Sequence, residues 1–288
     1  MRHCPLDLDL KHCRWNLKSL LSQSEFVKLN TLPGLHQVLK RLGISLQRAR
    51  SWIRSPDPQY ADKLDFIKQC IRQGHQAQTK VLFLDEFTYS IHATVQADYA
   101  LHGQQPKAPR AIGYEKTWRI LAAMNCFSGQ VSFYQRAQIR VPTMVSFLQQ
   151  LVKIYPQAQT IYVILDNWPV HFHVDVLDAL QTQHCPFEYH LPKLWQKAKP
   201  SGKYSHLNLP VQLVPLPTYA SWLNPIEKLW KWLKKDLIHH HPYAHKFNQL
   251  KELVQEWLSK FDRPVPELLK FTGLTNKNGI FANPIFNP

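Results

Sequence analysis

Three acidic residues sit where acids are costly. Asp85 follows the apolar run Val81-Leu82-Phe83-Leu84, and Asp166 follows Ile161-Tyr162-Val163-Ile164-Leu165. A carboxylate on a buried strand is expensive unless something pairs with it. The third, Glu227, lies in Tyr219-Ala220-Ser221-Trp222-Leu223-Asn224-Pro225-Ile226-Glu227-Lys228-Leu229-Trp230. There Ile226, Leu229, Trp230 and Leu233 recur at i, i+3, i+4 and i+7, one face of a helix. Asn224 suits the N-cap and Pro225 the first helical position, which puts Glu227 in the first turn, at the positive end of the helix. Taken singly, each acid reads equally as a cap or an ion-pair partner. Together they suggest one convergent acidic site.

The elements that must position these acids follow in order. Residues 14 to 30 read as a helix, broken by Thr31-Leu32-Pro33-Gly34, and Leu35, Val38, Leu39 and Leu42 give a second helix ending at Gly43. Lys40, Arg41, Arg48, Arg50 and Arg54 crowd that end. Two helices leading into a basic cluster suit a helix-turn-helix or winged-helix module over residues 1–58, against the plainer reading of a helical subdomain with a solvated basic face. Ser55-Pro56-Asp57-Pro58 disfavours helix, and residues 59–78 hold a linking helix, Tyr60 to Ile71, stopped at Gly74. A second domain, 79–288, alternates strands and helices. Its strands are Val81–Tyr89, Trp118–Phe127, Val131–Gln138, Thr160–Leu165 and Val211–Leu216, with a hairpin at Ser128-Gly129 and a long loop from Asp98 to Glu115. Its helices are Met144–Tyr155, His173–Gln183, Asn224–Leu237, Phe247–Phe261 and Val265–Phe271. The sum is an α/β fold, a mixed five-stranded sheet flanked by helices. His239-His240-His241 reads as a solvated helix end.

The 288 residues suffice for a sizeable core, and 44% hydrophobic content is that of a globular protein. Lys plus Arg number 35 against 20 Asp plus Glu, a net charge of +15, which favours a polyanionic partner, nucleic acid first. Five scattered cysteines without a C-x-x-C pair argue against a disulfide framework or a zinc ribbon. No apolar run is long enough for a membrane span, and the N-terminus lacks a signal-peptide stretch, so the expected location is cytoplasmic, at the nucleoid.

Three motifs carry a resemblance to a known family: Phe83-Leu84-Asp85-Glu86; Leu165-Asp166-Asn167 followed by His171; and Leu216-Pro217-x-Tyr219 through Leu223-Asn224-Pro225-Ile226-Glu227-x-x-Trp230. On these the chain resembles the mariner-type insertion-sequence transposases, DDE enzymes with a ribonuclease-H-like core. The resemblance implies that Asp85, Asp166 and Glu227 are catalytic and hold metal, and that Asn167, His171 and Asn224 steady the ligands or touch DNA. It also implies cleavage and strand transfer at terminal inverted repeats of double-stranded DNA, by a homodimer. The chemistry agrees. Carboxylates about 4 Å apart repel by about 4 kcal/mol per pair at an effective dielectric near 20. Oxygen ligands select Mg²⁺ or Mn²⁺, and two such ions suit in-line attack on a phosphodiester.

The chain departs from the family's pattern in three places. Asp166 and Glu227 lie further apart than usual, with an inserted stretch around residues 190–208 that holds Lys193, Lys197, Lys199 and Lys203. Those lysines are expected to bind DNA, against the plainer reading of a solvated insertion. Ala220 and Trp222 alter the loop around Ser221. About one helix-turn-helix unit precedes Asp85 where two are expected. The rival class is therefore a truncated or domesticated DNA-binding remnant without catalysis.

Overall fold

In the computed structural model, the residues described are 5–11, 14–23, 29–46, 55–110, 112–113, 115–181 and 184–275. The chain divides into two compact units, Met1–Ile53 and Arg54–Pro288.

The first unit holds a short 3-10 turn, Pro5–Leu8, and two helices, α1 (Leu17–Ser22) and α2 (Leu32–Arg41). Asn16 and Ser19 form a reciprocal capping box on α1, which is shorter than the helix expected over 14–30; residues 24–28 lie outside the described ones. The Thr31 hydroxyl accepts from the Gly34 N–H to start α2, and Lys40 and Arg41 occupy its last turn, where cations suit the helix dipole. Arg48, Arg50 and Arg54 lie outside the described residues.

The second unit opens with α3 (Tyr60–Gln73). Its Leu64, Ile67, Cys70 and Ile71 are buried in the same core as the sheet, so the helix expected as a link is a packed part of this unit. The sheet follows: β1 (Thr79–Ser90), β2 (Thr117–Asn125) and β3 (Val131–Arg136), then α4 (Val141–Ile154), β4 (Thr160–Leu165), α5 (Val174–Asp178) and β5 (Val211–Pro215). Helices α6 (Glu227–Leu233), α7 (Phe247–Ser259) and α8 (Pro266–Thr272) complete it. The five strands lie in the order β3-β2-β1-β4-β5; β2 and β3 pair antiparallel, while β4 and β5 run parallel to β1 and each other. This is the mixed, helix-flanked, ribonuclease-H-like sheet the sequence implies.

The central strand explains the site. Val81, Phe83 and Phe87 face a core built with α3, α6, α7 and α8; Leu82 and Leu84 face another built with α4 and α5. Strand side chains alternate faces. Asp85 therefore points with Phe83 toward α6, and Glu86 with Leu84 toward the segment after β4. The hairpin of β2 and β3 turns at Gly129, with φ 70° and so little room that a Cβ would lie 2.5 Å from the Val265 carbonyl.

Two helices differ from expectation. α5 stops at Asp178, short of Gln183, because Leu209 takes over the backbone: its N–H donates to the Ala179 carbonyl and its carbonyl accepts from Gln181. Helix α6 starts at Glu227, not after an Asn224 cap, and passes into a π-helical turn, Lys234–Ile238. Beyond it, His241 is buried, His239 Nδ1 lies 2.6 Å from the Thr94 hydroxyl, and His240 Nε2 lies 2.8 Å from the Gln96 carbonyl. The histidine triplet thus fastens the segment after β1 and is not a solvated helix end.

Candidate active site

The site forms where β1 and β4 end side by side. Their parallel register pairs Phe83 with Ile164, so two further steps bring Asp85 level with Asp166, just past the end of β4. Carboxyl ends of neighbouring parallel strands are where open α/β sheets receive ligands. Glu227 arrives from β5 through a tied loop. The Leu216 N–H donates to the Leu165 carbonyl at 2.8 Å, and Asn167 Nδ2 donates to the Leu216 carbonyl at 2.8 Å. Asn224 Nδ2 donates to the Leu84 carbonyl at 2.9 Å, which explains why this asparagine does not cap α6. Asn167 and Asn224 thus bind together the backbones that carry the three acids.

Each acid has its own surroundings. Asp85 Oδ2 accepts from the Trp230 indole N–H at 2.8 Å, and that indole stacks on Phe87. Burial, then the charges of Glu86, Glu227 and Asp166, push Asp85 up to about 8 against the pull of the Trp230 bond. Burial and Asp166 raise Glu227, opposed by Lys231 and Lys234 on its own helix. Asp166 is lowered: burial works against ionisation but is outweighed by His171 and by the Trp168 N–H that donates to Oδ1 at 3.1 Å. The three acids therefore share one electrostatic neighbourhood.

His171 is wholly buried and held from both sides. Nε2 lies 2.6 Å from Glu86 Oε1; Nδ1 lies 3.2 Å from Asp166 Oδ1 and 3.3 Å from the Asp166 carbonyl. Burial alone would lower its pKa, but Glu86 and Asp166 raise it to about 10, so the ring is an imidazolium. Among the described residues, Glu86, Asp166 and His171 form the group whose ligand atoms all lie within 4.8 Å of one another; Asp85 and Glu227 stand outside it. Both nitrogens of His171 are committed, so this group neutralises itself. The charge left without a counterion is on the Asp85 side, where an all-oxygen set fits a hard divalent cation.

The inserted stretch is anchored beside α5. The Ser201 N–H donates to Asp175 Oδ1 at 2.6 Å, and Trp195 meets His173 edge-on with ring centres 4.8 Å apart. Lys193, Lys197, Lys199 and Lys203 are all exposed. Four residues that matter here are not evident from sequence. Glu86 could have been found from period-2 alternation, and Lys231 and Lys234 from their i+4 and i+7 spacing to Glu227. Trp230 was legible only as a helix-face residue.

Known proteins share this architecture. The chain aligns with the Mos1 mariner paired end complex with Mn at a TM-score of 0.53 and 14% identity, over 93% of this chain and 81% of that one. It aligns with a pre-cleavage Mos1 transpososome at 0.52 and 10%, over 92% and 80%. At such identities the likeness is one of fold. An uncharacterized 39 kDa protein of insertion element IS630 from Shigella sonnei is 24% identical over 260 residues, 88% of this chain; the chain spans 66% of that relative's length. Residues 80–254 match the family model of the DDE superfamily endonucleases, and the chain belongs to that family.

Proposed function

We propose that this chain is a DNA transposase that binds terminal inverted repeats and carries out metal-dependent phosphodiester cleavage and strand transfer, with Asp85, Asp166 and Glu227 as its catalytic, metal-holding acids. The observation that carries this reading is the uncompensated negative charge around Asp85, at the strand ends where Asp166 and Glu227 converge. The chemistry supplied by one or two bound Mg²⁺ or Mn²⁺ ions is Lewis acidity toward the nucleophilic and leaving oxygens. The chain's residues do the rest. His171, locked to Glu86, holds Asp166 ionised and oriented. Trp230 aims Asp85. Lys231 and Lys234 stand beside Glu227, placed to meet phosphate oxygens. In the first unit, Lys40 and Arg41 close α2, the helix proposed to meet DNA in a helix-turn-helix manner, with Arg48, Arg50 and Arg54 following it. A homodimer on paired ends and a nucleoid location belong to the same reading; among the described residues no helix is long and apolar enough to cross a membrane.

The test is to incubate the protein with a labelled duplex carrying the element's end and Mn²⁺. Nicking that chelation abolishes supports the enzyme. Binding without nicking supports the DNA-binding remnant instead.

Metal binding should be linked to protons. Metal displaces the proton that Asp85 retains below about pH 8, so apparent Mn²⁺ affinity should rise with pH up to that point. Calorimetry in buffers of different ionisation enthalpy should detect proton release at pH 7.

The inserted loop gives a second expectation. Replacing Lys193, Lys197, Lys199 and Lys203 together by alanine should flatten the salt dependence of duplex binding. The log–log slope should fall by about 0.9 for each phosphate that the lysines no longer neutralise. An unchanged affinity and slope would remove the loop from the DNA interface.

A further inference from the structure

We infer that the loop between β5 and α6 presents Tyr219 and Trp222 as a stacking face for an unpaired nucleobase beside the reacting phosphate. This rests on the DNA-acting function proposed above and names a subsite of it.

Position comes first. The loop leaves β5 at Leu216, tied to the carbonyl of Leu165 next to Asp166, and ends at Asn224, tied to the carbonyl of Leu84 next to Asp85. Glu227 follows within the next turn. Whatever projects from residues 217–223 therefore borders the acids.

Rigidity comes second. The Thr218 N–H donates to Asp57 Oδ2 at 2.8 Å, and the Thr218 carbonyl accepts from the Ser55 hydroxyl at 2.5 Å. The Ala220 N–H closes a turn onto the Pro217 carbonyl, and Ala220 and Leu223 are buried. Between these fixed points Tyr219 is held at φ 56°, a left-handed backbone that is costly for a bulky residue. The consequence is an aromatic ring turned outward: Tyr219 is 76% exposed, and Trp222 is 36% exposed in the 3-10 turn that follows.

Chemistry identifies the ligand. Two aromatic rings left to water on a fixed loop call for a partner with a flat π face. The site handles a phosphodiester in a chain of net charge +15, so that partner carries phosphates too. A nucleobase satisfies both demands, and base–aromatic stacking tolerates any sequence. Within a duplex the faces of a base are covered by its neighbours, so the base that stacks here is unpaired.

The experiment compares binding of a blunt duplex with that of the same duplex bearing a short 3′ single-stranded overhang, the overhang carrying 2-aminopurine. Mn²⁺ is omitted so that the DNA stays intact. Tyr219→Asn removes the ring yet tolerates a left-handed backbone; Tyr219→Phe keeps the ring; Trp222→Ala tests the second ring. The expected result is that the native chain prefers the overhang by about tenfold and quenches the 2-aminopurine. Tyr219→Phe should keep both properties, while Tyr219→Asn and Trp222→Ala should reduce them. The same preference and quenching in Tyr219→Asn and in the native chain would overturn the inference. So would a shift of Tyr219→Asn from dimer to monomer with the preference intact, which would assign the rings to contact between copies. If the native chain nicks DNA with Mn²⁺ but shows no preference, only the stacking face is lost. If it binds neither duplex, the proposed function falls with it.

Discussion

Replacing Asp85 by Asn should lower metal-dependent cleavage by about a thousandfold or more while leaving the chain folded. The size follows from charge. Removing one carboxylate from beside a cation costs about 4 kcal/mol at 4 Å and an effective dielectric near 20, and each 1.36 kcal/mol is a factor of ten in rate. The fold should survive because the amide oxygen can still accept from the Trp230 indole. Stability should in fact rise near neutral pH. Asp85, raised to about 8, and Glu227, also raised, bind protons more tightly folded than unfolded, so each weakens the metal-free protein as pH climbs above the ordinary carboxylate range. His171 works in the same direction: its stabilising effect is complete below the ordinary histidine value and fades as pH rises toward about 10. Asp57 and Asp166 are lowered, so their effects are complete by about pH 4 and do not oppose the trend. The metal-free protein should therefore melt at progressively lower temperature from pH 4 to 8. Asp85→Asn should flatten that slope, and Mn²⁺ should reverse it for the native chain. A variant that cleaves within tenfold of the native rate would remove Asp85 from the machinery.

What was legible in the sequence was whatever local pattern decides. Thr160–Leu165 reads as a strand because nothing but apolar packing determines it, and the strand spans those residues. The acids at or just beyond the ends of the apolar runs were visible for the same reason. Contacts that bridge distant parts of the chain were not. The Asn224 side chain reaches Leu84 instead of capping its own helix, and α5 is cut short by pairing with Leu209. Glu86 stands next to Asp85 in sequence, but its partner His171 comes from the segment after β4, and only the assembled sheet brings them together. The Trp230 indole N–H is a further case: periodicity marks the ring as buried and says nothing of the carboxylate it meets.

The second large effect concerns the buried ion pair of Lys63 and Asp57, whose charged groups lie 2.8 Å apart with side chains only 5% and 4% exposed. Lys63→Ala should destabilise the unit formed by Arg54–Pro288 by about 3–5 kcal/mol, because it strands a carboxylate away from water. Asp57 keeps the N–H groups of Gln59 and Thr218, but burial, which already works to raise its pKa, would then prevail over them. The penalty should accordingly shrink as pH falls and Asp57 takes up a proton. Urea unfolding at pH 7 and pH 4 measures the difference. Adding Asp57→Asn to Lys63→Ala should recover much of the loss, since a neutral amide oxygen can still accept from the same N–H groups while no charge is left stranded. The pair also fixes Thr218, one residue before the strained Tyr219, so Lys63→Ala should loosen that loop more than the sheet. Hydrogen exchange would show this as faster exchange at Thr218 and Ala220 than at β1, whereas uniform acceleration would mean that the pair supports the unit as a whole and not the loop.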